Sequence, residues 1–142
     1  MKTLRNAFAV LFLAWLTLAT AFAARHEEKV VYHMNDSSIA MGALNNIRNH
    51  LNASPNAKIV VVAHGAGVDF LLDGAKDKNG NPYDAVVQEL VNRNVQFRVC
   101  NNTLQTRKID KSRVIPEATI VPSGVAEIAR LQSQEGYVYL KP

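Results

Sequence analysis

Short apolar runs rich in β-branched residues alternate along the chain with longer segments of helical spacing. Lys29–Met34 (KVVYHM), Lys58–Ala63 (KIVVVA), Val95–Cys100 (VQFRVC), Ala118–Val121 (ATIV) and Tyr137–Leu140 (YVYL) read as five strands. Residues 58–63 are apolar on both faces, as in a parallel strand covered from above and below. Asn35-Asp36-Ser37-Ser38 forms a turn with good helix-capping residues, and apolar positions then recur at 39, 43, 44, 47 and 51. Asn52–Asn56, with its Pro55, ends that helix. Pro82 opens a second amphipathic segment with apolar residues at 83, 86, 87, 90 and 91. A third helix, VAEIARLQSQ, follows Ser123 as N-cap and stops at Gly136. Val68–Leu72 and Asn101–Arg107 read as short helices, and Asp73–Pro82, punctuated by glycine and proline, as an exposed loop. The order βαβαβαβαβ predicts a mainly parallel sheet between helices. Right-handed crossovers then bring the carboxyl ends of all strands to one edge, where open α/β sheets bind ligands.

Ahead of the first strand lies a different pattern. Lys2 and Arg5 precede an almost wholly apolar stretch, Ala7–Ala19, which leads to Ala21-Phe22-Ala23. Charge, apolar run and small-residue exit occur in the order of a cleavable secretory signal. The run is too short to span a bilayer as a helix, which needs about 20 residues. The expected organisation is a signal over residues 1–23 and one domain over 24–142, acting in the periplasm with no membrane contact after cleavage.

Charge adds little. Without Lys2 and Arg5, the sixteen basic residues become fourteen against twelve acidic ones, a net +2. The densest basic stretch, Arg107, Lys108, Lys111 and Arg113, is interrupted by Asp110 and lacks interleaved aromatics. It reads as a solvated face, with no nucleic-acid role. The remaining ~119 residues suffice for one core. A single cysteine, Cys100, excludes an internal disulfide and leaves little for a structural zinc.

The strand ends deliver the chemical candidates to one edge: Asn35 and Asp36, His64 with Gly65, Cys100 with Asn101, and Ser123 with Gly124. Cys100 leaves a strand into a helical turn, where backbone N–H groups favour a thiolate. The competing role is a small apolar filler. His64 suits a proton shuttle, a metal ligand or a turn residue bonded to backbone. Gly65-Ala66-Gly67 lacks the third glycine of a dinucleotide fingerprint, because Phe70 stands there. Ser123-Gly124 suits anion binding at a helix start or plain capping. His33, inside a strand, reads as packing or edge decoration. His26, His33, His50 and His64 lack the spacing of a helical metal pair. No metal or other cofactor is called for.

Four segments carry a family resemblance: Lys58–Leu72 (KIVVVAHGAGVDFLL), Phe97–Leu104 (FRVCNNTL), Val121–Gln132 (VPSGVAEIARLQ) and Gly136–Pro142 (GYVYLKP). Together they resemble the DsrE/DsrF-like family from Lys29 to Pro142. The resemblance implies a three-layer α/β/α sandwich around a mainly parallel five-stranded sheet of the YchN-like type, assembled as trimers or hexamers. Its sulfur-relay members carry sulfur as a persulfide on a cysteine after the third strand, the place Cys100 occupies. Those members pass sulfur among cytoplasmic partners, so an exported chain keeps the cysteine and loses the pathway. The expectation is a periplasmic persulfide carrier, a sulfurtransferase-like protein more than a turnover enzyme, with a donor or acceptor protein as partner. The rival is a homo-oligomeric binding or assembly module with a small-ligand pocket at the strand ends.

Overall fold

The computed structural model describes residues 27–142; the expected signal, its cleavage point and His26 lie outside them. Five strands, β1 (Lys29–Met34), β2 (Lys58–Ala63), β3 (Gln96–Cys100), β4 (Ala118–Val121) and β5 (Val138–Leu140), form one all-parallel sheet in the order β4-β3-β2-β1-β5. Four helices connect them: α1 (Ala40–Ala53), α2 (Asp84–Asn92), α3 (Asn101–Thr106) and α4 (Gly124–Glu135). The molecule is the expected three-layer α/β/α sandwich. Short 3-10 turns at Ser37–Ile39, Gly65–Leu71 and Lys111–Arg113 complete the connections.

Strand order explains the layers. From β1 to β4 the chain steps across the sheet in one direction, so right-handed crossovers place α1, α2 and α3 on one face. The last connection runs back past three strands to β5, and the same handedness places α4 on the opposite face. Packing follows this division. Val30, Tyr32, Met34, Ile59, Val61, Phe97 and Val99 point towards Leu44, Ile47, Leu51, Val87, Leu90 and Leu104 in the larger core. Val31, Val60 and Val62 meet Ile128 and Leu131 of α4, with Tyr137, in a smaller one. Alternation along the strands puts His33, His64, Arg98 and Cys100 on the α4 side.

Helix α4 is the only helix on its face among the described residues, and polar contacts reinforce its seat. Ser123 caps it by accepting from the Ala126 N–H at 3.3 Å, and it ends at Gly136. Glu127 reaches down to Arg98 on β3 and is also held by Arg130 at 2.8 Å. Arg130 foremost, helped by Arg98, holds the Glu127 carboxyl below the usual carboxylate range, against the opposing effect of burial.

Local departures from the sequence reading are small. The segment after His64 closes as a 3-10 run because it must hug the end of β1: a Cβ on Gly67 would sit 2.2 Å from the Met34 carbonyl oxygen. Asp36 caps the 3-10 turn ahead of α1 instead of α1 itself, accepting from Ser38 N–H at 2.8 Å. The Asp73–Pro82 loop is stitched by Asp77, which accepts from the N–H groups of Asn79 and Asn81 at 2.8 Å each.

Candidate functional site

The connections after β3 and β4 leave neighbouring strands towards opposite faces, β3 into α3 and β4 into α4. Such a divergence opens a crevice at the carboxyl edge of the sheet. The crevice is present as a cleft of about 320 Å³, lined among others by His64, Cys100, Asn102, Thr103, Arg107 and Ser123. Cys100, the last residue of β3 and the register partner of Val121, lies on its floor. Its exposure is 4%, and it belongs to neither apolar core. The thiol is therefore deep but not enclosed in aliphatic packing.

Opposing effects act on Cys100. Burial pushes its pKa up. Hydrogen bonding from the Gly124 N–H, the Thr103 hydroxyl and the N–H groups of Thr103 and Asn102 pulls it down, and these donors prevail. The net result is a thiol more acidic than an ordinary cysteine. With six residues, α3 is too short for a macrodipole of consequence; directed N–H groups stabilise the thiolate. Thr103 is well placed for this. Its Oγ1 accepts from the Gly65 N–H at 2.9 Å, leaving the hydroxyl proton for the sulfur.

Close approach of α4 completes the arrangement. A Cβ on Gly124 would stand 3.1 Å from Cys100 Cβ and 3.2 Å from His64 Cβ. Only a bare Cα lets this N–H press into the site, and the same distances show that Cys100 and His64 leave the sheet side by side. On the far rim, Arg107 is fixed by Asp69 at 2.7 Å and by the Gly65 carbonyl at 3.0 Å. A cation thus stands at the cleft mouth.

His64 does not bond the turn backbone through its side chain. Its Nε2 lies 2.5 Å from His33 Nε2, and the two rings meet edge to edge with their planes 24° apart and centroids 4.6 Å apart. His33 Nδ1 in turn lies 2.6 Å from the Tyr139 hydroxyl. Burial first, then His64 and Lys141, holds His33 below the ordinary imidazole range. Burial and Lys141 do the same to His64.

Of the residues expected from sequence, Cys100, His64, Gly65 and Ser123 line one cleft, and Gly124 presses on it. Asn35 and Asp36 lie on the same edge but outside the lining. Asn101 is also outside it, its Oδ1 buried without a partner among the described residues. Asn102 and Thr103 take part without having been singled out as site residues. The motif FRVCNNTL contains both, but only the turn of α3 shows which face inward. Among the described residues no cluster of three or more His, Cys, Asp or Glu is placed to hold a metal ion.

A model of the DsrE/DsrF-like family matches residues 16–142. The chain belongs to the DsrE/DsrF-like family. Among solved structures, this DsrE/DsrF-like chain is similar to the MTH1491 protein of Methanobacterium thermoautotrophicum, itself described as of unknown function. The two are 31% identical with a TM-score of 0.71, over 82% of this chain and 100% of the other. The YchN protein of E. coli shares the fold at 15% identity and a TM-score of 0.62, over 80% of this chain and 99% of that one. No curated protein matches the chain.

Proposed function

We propose that this DsrE/DsrF-like protein is a sulfur carrier in which Cys100 accepts a sulfane sulfur, holds it as a persulfide and passes it to an acceptor thiol. One observation carries the reading: the chain's single cysteine lines a cleft at the strand ends, where Gly124, Thr103 and Asn102 beside it make its thiol more acidic than an ordinary cysteine. A structural filler needs no such acidity. In the first half-reaction the Cys100 thiolate attacks the outer sulfur of a persulfide R–S–SH. An S–S bond forms to Cys100, the donor's own S–S bond breaks, and R–S⁻ leaves to be protonated. The second half-reaction reverses these roles on an acceptor thiolate. The depth of the thiol favours a donor that presents its sulfur on a slender arm, either a small persulfide or a cysteine at the tip of a partner loop. Arg107 suits an anionic donor.

The chain is proposed to act in the periplasm as a homo-oligomer, a trimer or hexamer. Residues 1–23 support the location. The exposed apolar residues Val138 and Leu140, at 63% and 40%, support a second copy against β5, an edge strand among the described residues. Sequencing the N-terminus of the secreted form and light scattering test these points.

Intact-mass measurement after incubation with a low-molecular-weight persulfide tests the central claim. One added sulfur on the wild type and none on Cys100→Ser is the expected result. Equal addition to both removes the carrier reading and leaves a ligand-binding module.

A further inference from the structure

His64, His33 and Tyr139 form a continuous line from the cleft to solvent. His64 lines the cleft beside Cys100. Its Nε2 meets His33 Nε2 at 2.5 Å, and His33 Nδ1 meets the Tyr139 hydroxyl at 2.6 Å. Tyr139 is 39% exposed. The line runs across three adjacent strands, β2, β1 and β5, whose register places Val31 opposite Tyr139 and His33 opposite Val62. Nothing in the packing requires two imidazoles to meet here; apolar residues at 33 and 64 would extend the small core of Val31, Val60 and Val62.

An Nε2-to-Nε2 contact needs one N–H and one bare nitrogen, so the state of one ring dictates that of the other. With both rings neutral, only two arrangements satisfy the whole line. In one, Tyr139 donates to His33 Nδ1, His33 Nε2–H donates to His64 Nε2, and His64 carries a proton on Nδ1. In the other every bond is reversed and His64 Nδ1 is bare. Among the described residues no protein group bonds that Nδ1, which leaves it to the cleft.

We propose that His64, His33 and Tyr139 are a proton relay that serves Cys100, His64 giving and taking the proton in the cleft and Tyr139 exchanging it with water. The relay rests on the sulfur-carrier reading and assigns its proton path. When R–S⁻ leaves in the first half-reaction, His64 Nδ1–H protonates it. The His33 Nε2 proton moves to His64 Nε2, the Tyr139 proton moves to His33 Nδ1, and Tyr139 takes a proton from solvent. Every member stays neutral, and the line now stands in its second arrangement. In the second half-reaction the acceptor thiol gives its proton to His64 Nδ1, the three shifts run backwards, and one proton leaves through Tyr139. One sulfur in and one sulfur out restore the starting state. The neutrality this demands agrees with the partial burial of both rings and the nearness of Lys141, which disfavour imidazolium.

Two measurements on the whole chain test the relay. The first is single-turnover sulfur acceptance from a small persulfide by the wild type, H64Q, H33Q, Y139F and the H33Q/Y139F double variant. H64Q should slow acceptance on the order of a hundredfold, the low end of general acid catalysis, and H33Q and Y139F about tenfold each. Because the two act in series, the double variant should be no slower than either single one. Additive losses, or Y139F at the wild-type rate, overturn the proposal. The second needs no sulfur chemistry: nitrogen NMR of the histidine rings in the wild type and Y139F. The His64 tautomer ratio should shift in Y139F although Tyr139 bonds only His33; an unchanged ratio overturns the relay. If the wild type takes no sulfur while the ratio shifts, the carrier reading fails and the coupled line stands.

Discussion

A cysteine 4% exposed is reactive only if its surroundings oppose burial, and here named donors do so. Thr103 contributes twice, through its N–H and its hydroxyl. Replacing it with valine keeps shape and N–H but removes the hydroxyl that links Gly65 to the sulfur. T103V should raise the Cys100 pKa and slow its alkylation at neutral pH by about tenfold, the effect of one charge-assisted hydrogen bond. Rates of labelling with a small alkylating reagent across pH check this. Cys100 was legible in the sequence because a strand end and a following helical turn can both be read from pattern. Thr103 was not, since its role depends on which side of a six-residue helix meets the sulfur. His33 read as packing for a related reason: a polar residue in a strand acquires a partner only once the neighbouring strands and their register are known.

Elements bring these residues together through two close approaches. At Gly67 a Cβ would meet backbone, 2.2 Å from the Met34 carbonyl, which cannot move without breaking β1. G67A should cost more than about 4 kcal/mol or abolish folding, the range of a severe core clash. At Gly124 a Cβ would meet side-chain carbons at 3.1 and 3.2 Å, which yield by a few tenths of an ångström. G124A should fold, lose about 1–3 kcal/mol as overpacked sites do, and raise the Cys100 pKa as the α4 N–H withdraws. Denaturant melts together with thiol titration separate the two substitutions. The strands and α4 were legible from periodicity, Ser123 and Gly136 included. That α4 lies alone on its face was not, because it follows from strand order, and strand order depends on contacts distant in sequence.

For the molecule as a whole, the histidine pair sets a pH dependence. Unfolded imidazoles titrate near 6.5, whereas His33 and His64 are held lower in the fold. Between the two ranges the unfolded chain binds protons that the folded chain refuses. Stability is therefore full above about pH 6.5 and falls as the solution is acidified. Calorimetry should show a melting temperature that drops as the pH falls below about 6.5, with a shallower slope in the H33Q/H64Q variant. An unchanged slope would mean that the pair titrates alike in both states. The domain as a whole was recognisable from the sequence because four segments spread along it carry family motifs; a pocket could be placed at the carboxyl edge, but not between β3 and β4, because the divergence of their connections needs three dimensions.

That divergence has a mechanical outcome. The groups that steady one sulfur are divided between helices anchored on opposite faces of the molecule, so any change in the charge or bulk of that atom strains both anchorages. If Cys100 carries sulfur as proposed, its loaded form would give Gly124 less reason to stay pressed in, and by reciprocity whatever lifts α4 would make the thiol a poorer acid. Val125, beside Gly124, 63% exposed and on the lining of the crevice, offers a handle there. On the proposed carrier reading, a protein gripping the start of α4 from this rim would sense whether Cys100 is loaded.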